Sequence, residues 1–205
     1  VHTVVYNKGP FRNGTTTLEN IGREGGTYLH HIIHNYDALR DYTVFTQGDP
    51  FAHNPQFMKD VHAPMSAFQS LGMWWSPDVP PANVRDMCPV PHIHIGNHDF
   101  VCYHPIVWKD HGWMHIAKRI KVRHSIIDVL HFVCERLRIN TPSTGIPISM
   151  CGMFGVHKSR IHWYPRSFYE NMLTFLYEHP DHGYIIERMW AFLFLVRRGE
   201  ATKRK

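Results

Sequence analysis

Between His2 and Gln47 the chain spells a short β-branched run, an amphipathic helix and a second β-branched run, and this alternation narrows the folds open to it. The first run, His2–Tyr6, breaks at the turn Asn7-Lys8-Gly9-Pro10, and a polar loop follows to Glu19. From Thr27 to Leu39 the residues Leu29, Ile32, Ile33 and Tyr36 recur at helical spacing, so a helix there buries one face. Asp41–Gln47 reads as a strand stopped by Gly48-Asp49-Pro50. Strand, helix and strand in this order predict a βαβ unit with a parallel pair, and ligands in such sheets sit beyond the carboxyl ends of the strands. Tyr6, Asn7 and Lys8 are thereby expected at one crevice with Gln47, Gly48 and Asp49.

Asn54–Leu71 reads as a weaker helix, whereas the prolines of Met73–Pro81 exclude one. Pro89–Trp113, rich in His, Pro and aromatics, reads as a long functional loop with short strands. Ser125 and Asp128 resemble a capping box before the apolar stripe Ile126, Leu130, Val133 and Leu137. Gly145–Val156 supplies another strand, and two apolar helices follow over Ser167–Glu178 and Tyr184–Val196. A chain of 205 residues is the size of one domain, expected over 1–196, with 197–205 a basic tail or a linker to a further domain of the same polypeptide.

The balance of residues narrows the function. With 43% hydrophobic and 19% charged residues the chain is globular, and its formal charge of +5 comes from scattered Lys and Arg, not from a basic stripe with a nucleic-acid module. No run of about 18 apolar residues offers a membrane span. Four cysteines without a Cys-x-x-Cys pair argue against a zinc knuckle or a disulfide framework and for a cytoplasmic setting.

Cys151–Tyr169 carries the densest chemistry. An apolar strand ends in His157, Lys158 and Arg160, and Arg166 follows Pro165 at the start of a helix. Cations at the end of a rigid strand suit an anion that is held and then released; they equally solvate a strand end. A neutral His157 imidazole is a candidate ligand for an ion such as Mn2+. Of the eighteen histidines, His30 and His34 have metal-ligand spacing, but a zinc-peptidase helix needs Glu where His31 stands, and all three lie off the apolar stripe. His92 and His94 alternate as on one side of a strand, with His98-Asp99 close behind, as a ligand set or a hydrogen-bonded loop. A divalent ion on a diphosphate needs one or two protein carboxylates, for which the loop acids Asp49, Asp78 and Asp99 are candidates. Trp74 and Trp75 cannot both face the core, so one is expected to line a ligand surface. Glu187-Arg188 reads as an internal ion pair.

Several segments are also familiar. Val4–Gly9, Asn20–Glu24 with Thr27–Ile32, Val44–Gly48, and Phe154–Ile161 with Pro165–Tyr169 resemble a family of fungal and viral proteins related to glycosyltransferases of the GT-A type. The resemblance implies an α/β fold, a single GT-A-like nucleotide-diphospho-sugar domain with a central mixed sheet of about six strands flanked by helices. It implies a UDP-sugar donor (UDP-glucose or UDP-L-rhamnose), Mn2+ with Mg2+ as the alternative, and a glycan acceptor, with viral capsid glycan synthesis in the host cytoplasm as the setting. Tyr6, Asn7 and Lys8 would take the uridine and Arg23 the nucleotide or its phosphates, with Gln47 and Ser76 also on the donor side. Asp78, in Ser76-Pro77-Asp78, and His157 would hold the metal, and Lys158 would meet the charge growing on the leaving phosphate. Trp74, Trp75, His98 and Asp99 would face the sugar or the acceptor. An inverting transfer needs a carboxylate base, and since no acid is clearly poised for that role, retention is favoured.

Two other classes stay open at this point. One is a metal-dependent hydrolase using His92, His94, His98 and Asp99; the other is a non-catalytic carbohydrate-binding module built on Trp74 and Trp75.

Overall fold

Phe154 is the hub of the core. In the computed structural model, which describes residues 2–72, 94–95, 98–99, 101–103, 126–139, 146–148 and 152–195, its ring lies 5.2 Å from Phe45, 5.4 Å from Phe68, 5.6 Å from Trp190 and 5.9 Å from both Tyr28 and Phe194. Five aromatic rings around one buried side chain concentrate the apolar area removed from water at a single point.

The described strands are β1 (Tyr6–Asn7), β2 (Thr16–Thr17), β3 (Tyr42–Phe45), β4 (Phe68–Ser70), β5 (His94–Ile95), β6 (His98–Asp99), β7 (Val101–Tyr103), β8 (Ile146–Ile148) and β9 (Phe154–His157). The helices are α1 (Arg23–Asn35, followed by a 3-10 turn over Tyr36–Ala38), α2 (Phe57–His62), α3 (Ile126–Arg136), α4 (Lys158–Ile161), α5 (Arg166–Glu178) and α6 (Gly183–Leu195). The largest sheet among the described residues has the order β3-β9-β4, with β9 antiparallel to both neighbours. Tyr42 pairs with His157 and Phe45 with Phe154, while Phe68 pairs with Val156 and Ser70 with Phe154.

Side chains alternate across a strand, and here the alternation sorts two cores. Phe45 and Phe154 face α1 and α6, whose Tyr28, Trp190 and Phe194 close over them. Val44 packs on the other side in a smaller cluster with Phe57 and Val61 of α2, Met65, Leu71 and Met153. Gly155 leaves room there for Met65, whose sulfur would lie 2.6 Å from any Cβ at that position. Helices therefore cover both faces of the sheet, and the chain is mixed α/β. The other described pairings are two-stranded: β1 with β2 in parallel, and β5 with β6 and β7 with β8 antiparallel.

The expected parallel βαβ pair does not form. Val4 and Val5 remain 44% and 50% exposed, β1 pairs with β2, and β3 instead takes β9 as its antiparallel partner. The physical reason is the apolar Phe-Gly-Val of β9, which matches the two-faced burial of β3 where the short first run does not. The expected helix over Asn54–Leu71 splits into α2 and β4. Pro64 holds Ala63 extended (ψ 157), and the buried Asn54 amide donates to Asp60 Oδ2 and Leu71 O at 2.8 Å each, fixing the bend. The expected strand over Gly145–Val156 is likewise two strands, β8 and β9, and Gly152 between them has φ +60. No helix among the described residues is long and apolar enough to cross a membrane.

Candidate functional site

The site is built where two helices begin. Gly22 (φ 61) and Arg23 (φ 54) both take left-handed backbone to start α1, and Gly183 starts α6 against them. A Cβ on Gly183 would stand 2.7 Å from Gly22 O, so a glycine at 183 is what allows this approach. The contact carries Glu24 of α1 and Glu187 of α6 to a common neighbour. A Cβ on Gly152 would lie 3.0 Å from Glu187 Cγ and 3.8 Å from Glu24 Cγ.

One helical turn beyond each acid stands a buried aromatic with a polar atom. Tyr28 follows Glu24 at i+4 and is 3% exposed; Trp190 follows Glu187 at i+3 and is fully buried. Their rings are 6.1 Å apart, and neither Tyr28 Oη nor Trp190 Nε1 has a hydrogen-bond partner among the described residues. Burial, then the charges of Glu24 and Glu187, hold the Tyr28 phenol well above its ordinary value, so it stays protonated.

Cations frame the pair from outside. Arg23 Nε is 3.4 Å from Glu24 Oε2, and its guanidinium lies 4.1 Å over the Tyr184 ring while remaining 44% exposed. Lys8 reaches from the end of β1 to donate to Ile21 O at 2.7 Å and to Arg23 O. Burial lowers the Lys8 amine below its usual value, against the pull of Glu24. The arrangement offers oxygen ligands inside and an exposed guanidinium at the rim.

The other expected donor-side residues divide between the two ends of the sheet. Asn7 folds on itself, its Oδ1 accepting from Gly9 N at 3.1 Å. Gln47 follows β3 at the Phe45–Phe154 end, and Asp49 beyond it is exposed. His157 and Lys158 lie at the opposite end, beside Tyr42, about 10 Å away for three residue steps along a strand. There His157 caps α4: its Nδ1 accepts from Ser159 N at 3.2 Å. That bond leaves the proton of a neutral ring on Nε2, the reverse of the polarity a metal-bound imidazole uses, in which the second nitrogen donates. Lys158 pairs with Asp41 at 2.8 Å and holds the Asp41 carboxyl below its usual range, with His157 adding to the effect. Arg160 lies 4.1 Å over Trp163, and Arg166 pairs with Asp37. Lys158 and Arg166 thus tie this segment back to the stretch between α1 and β3.

The histidines of α1 resolve individually. His30 and His34 stack at 3.9 Å, with His34 Nδ1 2.9 Å from His30 O. Tyr6 donates to His31 Nδ1 at 3.0 Å, which ties β1 to the middle of α1. Burial and then the neighbouring His2 hold His31 below the ordinary 6.5. The unfolded chain therefore takes up a proton near that pH which the folded ring refuses, so stability is present above it and lost as pH falls below it. Between about pH 7.5 and 5.5, thermal melts of the wild type are expected to fall more steeply than those of His31→Gln; equal slopes would remove His31 from the account.

Trp74, Trp75, Ser76, Asp78 and His92, together with the tail 197–205, lie outside the described residues. In the β5–β6 hairpin His94 is the backbone partner of Asp99 and Ile95 of His98. Among the described residues no three of His, Cys, Asp and Glu are grouped to hold a metal ion. Sequence reasoning named Arg23 and read Glu187 with Arg188 as an internal ion pair, but did not single out Glu24 or Tyr28. The available signal was Glu187-Arg188 as the only charges in an otherwise apolar helix, and Glu24 among the glycines Gly22, Gly25 and Gly26.

A family model described as "Protein of unknown function (DUF3431)" matches residues 1–73, the stretch holding β1, α1, β3, α2 and β4. No curated protein and no solved structure matches the chain.

Proposed function

We propose that this chain is a GT-A-type glycosyltransferase domain that moves a hexose from a UDP-sugar to a glycan acceptor with a divalent cation. The observation that carries the reading is the meeting of an exposed Arg23 with an acid pair at the uncapped start of α1, anchored from behind by Lys8. A helix start and a guanidinium attract a diphosphate, and an acid pair supplies the carboxylates by which a divalent ion is held to it. The segments that resemble the glycosyltransferase family at Val4–Gly9 and Asn20–Glu24 are those that Lys8 joins here.

In the reaction the bond between the anomeric carbon and the β-phosphate oxygen breaks, the acceptor oxygen bonds to that carbon, and the acceptor proton is released. The cation would offset the charge growing on the departing UDP. Arg23 would hold the diphosphate from the solvent side. With both carboxylates of the pair assigned to the cation, neither serves as base, which keeps retention the favoured outcome. In this reading the three described antiparallel strands are part of a central mixed sheet of about six, and rhamnose or glucose is the sugar transferred in the cytoplasm to a viral capsid glycan.

Calorimetric titration with UDP in the presence of Mn2+ tests the reading. Saturable binding that weakens when Mn2+ is withdrawn is expected. Absence of UDP binding in both conditions overturns it.

A further inference from the structure

We infer that the ribbon of β1 and β2 is an acid-released strap: it lies closed over α1 while the histidines beneath it are neutral, and protonating them frees it. The ribbon has little packing of its own. Its strands are two residues long and pair only with each other among the described residues, and Val4, Val5, Thr16 and Thr17 are exposed. A two-stranded pairing this short is not stable in water by itself, so it depends on what ties it down. Two ties are present among the described residues. Tyr6 donates to His31 Nδ1 at 3.0 Å, with its ring edge-on to His30 and His31 at 5.4 and 5.9 Å. Lys8 donates to the carbonyls of Ile21 and Arg23. A cavity of about 40 Å3 lies at the ribbon's end, with Lys8 and Leu18 facing His30 of α1 and Leu173 and Tyr177 of α5.

The first tie is the one that a proton weakens. His31 Nδ1 accepts from Tyr6, and Asn35 Nδ2, which donates to His31 O at 2.9 Å, stands 3.4 Å from the same nitrogen. Protonation turns that nitrogen into a donor. Tyr6 Oη can rotate to accept from it, but the Asn35 amide then opposes it donor to donor. The new charge meets other bases. His2, from the segment leading into β1, acts on His31, while His31 and His34 act on His30, whose ring stacks with His34 at 3.9 Å. Phe45 of β3, 5.8 Å from His31, offers no counter-charge. Across the cavity from His30 stand Lys8 and Tyr177, and the one acid among the described residues of its lining, Glu19, is exposed to water that screens it. Burial, then the neighbouring imidazoles, hold His30 and His31 below the ordinary 6.5 while the ribbon is closed. Release relieves that hold, so the open form binds more protons and opening is favoured as pH falls towards and below that value. The second tie carries the consequence. Lys8 joins the ribbon to the carbonyl of Arg23, so a freed ribbon unfastens the start of α1. On the transferase reading, on which this consequence alone rests, acid loosens the grip of Arg23 on the donor.

The test is hydrogen exchange at residue level at about pH 7.5 and 5.5, one unit either side of a free imidazole, with each rate divided by its intrinsic value. The reporters are the Thr16 and Leu18 amides, which donate to Val5 O and Asn7 O at 3.1 and 2.8 Å, and Phe154–His157 of β9 serve as the core reference. Protection of the two amides is expected to fall severalfold at the lower pH while that of β9 holds. His31→Gln should flatten this change, and Tyr6→Phe should bring the protection at the higher pH down towards the wild-type level at the lower. Equal protection of the ribbon at both pH values in the wild type, an undiminished change in His31→Gln, or loss of protection by β9 in step with the ribbon overturns the strap. UDP titration with Mn2+ at both pH values keeps the two readings apart. If exchange shows release but UDP binds at neither pH, the strap stands and the transferase reading falls. If UDP binds and exchange shows no release, the strap falls and the transferase reading stands.

Discussion

Gly183→Ala is expected to lower the unfolding free energy by about 2–3 kcal/mol, the upper part of the usual cost of overpacking. On an exposed helix the same substitution normally stabilises, because alanine loses less backbone freedom on folding than glycine. Here the new methyl would stand 2.7, 2.8 and 3.1 Å from Gly22 O, C and Cα. None of these is the tip of a flexible side chain, and Gly22 O is itself held, accepting from Gly26 N at 3.1 Å. Relief therefore requires α1 and α6 to separate. For a chain of this size the melting temperature should fall by roughly 5–10 °C. A variant that melts at or above the wild-type temperature would show that the two helix starts do not touch.

If the proposed transferase reading holds, Gly152→Ala is expected to cut UDP-sugar turnover by about a hundredfold, because a displacement of 1 Å at a reacting centre can cost that much. Its Cβ would press Glu187 Cγ at 3.0 Å while removing no charge from the site. Stability should fall as well, by about 1–2 kcal/mol, since the position has φ +60 and alanine resists left-handed backbone. Gly152→Asn separates the two effects. Asparagine tolerates that backbone better, so stability should largely return, yet its Cβ meets the same glutamate and turnover should stay low. Full turnover in both variants would mean that the placement of Glu187 does not matter to the reaction.

Local periodicity revealed the helices well, and long-range pairing poorly. The stripe of Leu29, Ile32 and Ile33 located α1, but only from Thr27, whereas the helix starts at Arg23 with Gly25 packed on Ile186 of α6. The helices after Ser125 and Ser167 and the last helix agree with α3, α5 and α6 to within a residue or two of their starts. The sheet was harder to read. Val4 and Val5 have the composition of a buried strand, and nothing local says that Phe154-Gly155-Val156 will pair with β3 in their place. The antiparallel register then decides the site, since it sends His157 and Lys158 to the end of the sheet away from Gln47. Glu24 and Glu187 were invisible as a pair for the same reason: their proximity is made by Gly22, Gly152 and Gly183, whose meaning lies in what touches them.

The position of β9 in the chain also dictates an order of events. β3 and β4 flank it without pairing with each other, and both are synthesised long before Phe154 emerges. Residues 1–73 hold the two outer strands of the largest described sheet and lack its middle one. Until β9 arrives, the inward faces of Phe45 and Phe68 have neither the Phe154 ring nor a shared ladder to close on. Such distant pairing must overcome a long loop's closure entropy before any contact repays it, which slows assembly. A nascent chain therefore carries two strands without their common partner while residues 71–153 are made, and the sheet forms only as the segment bearing β9 joins them.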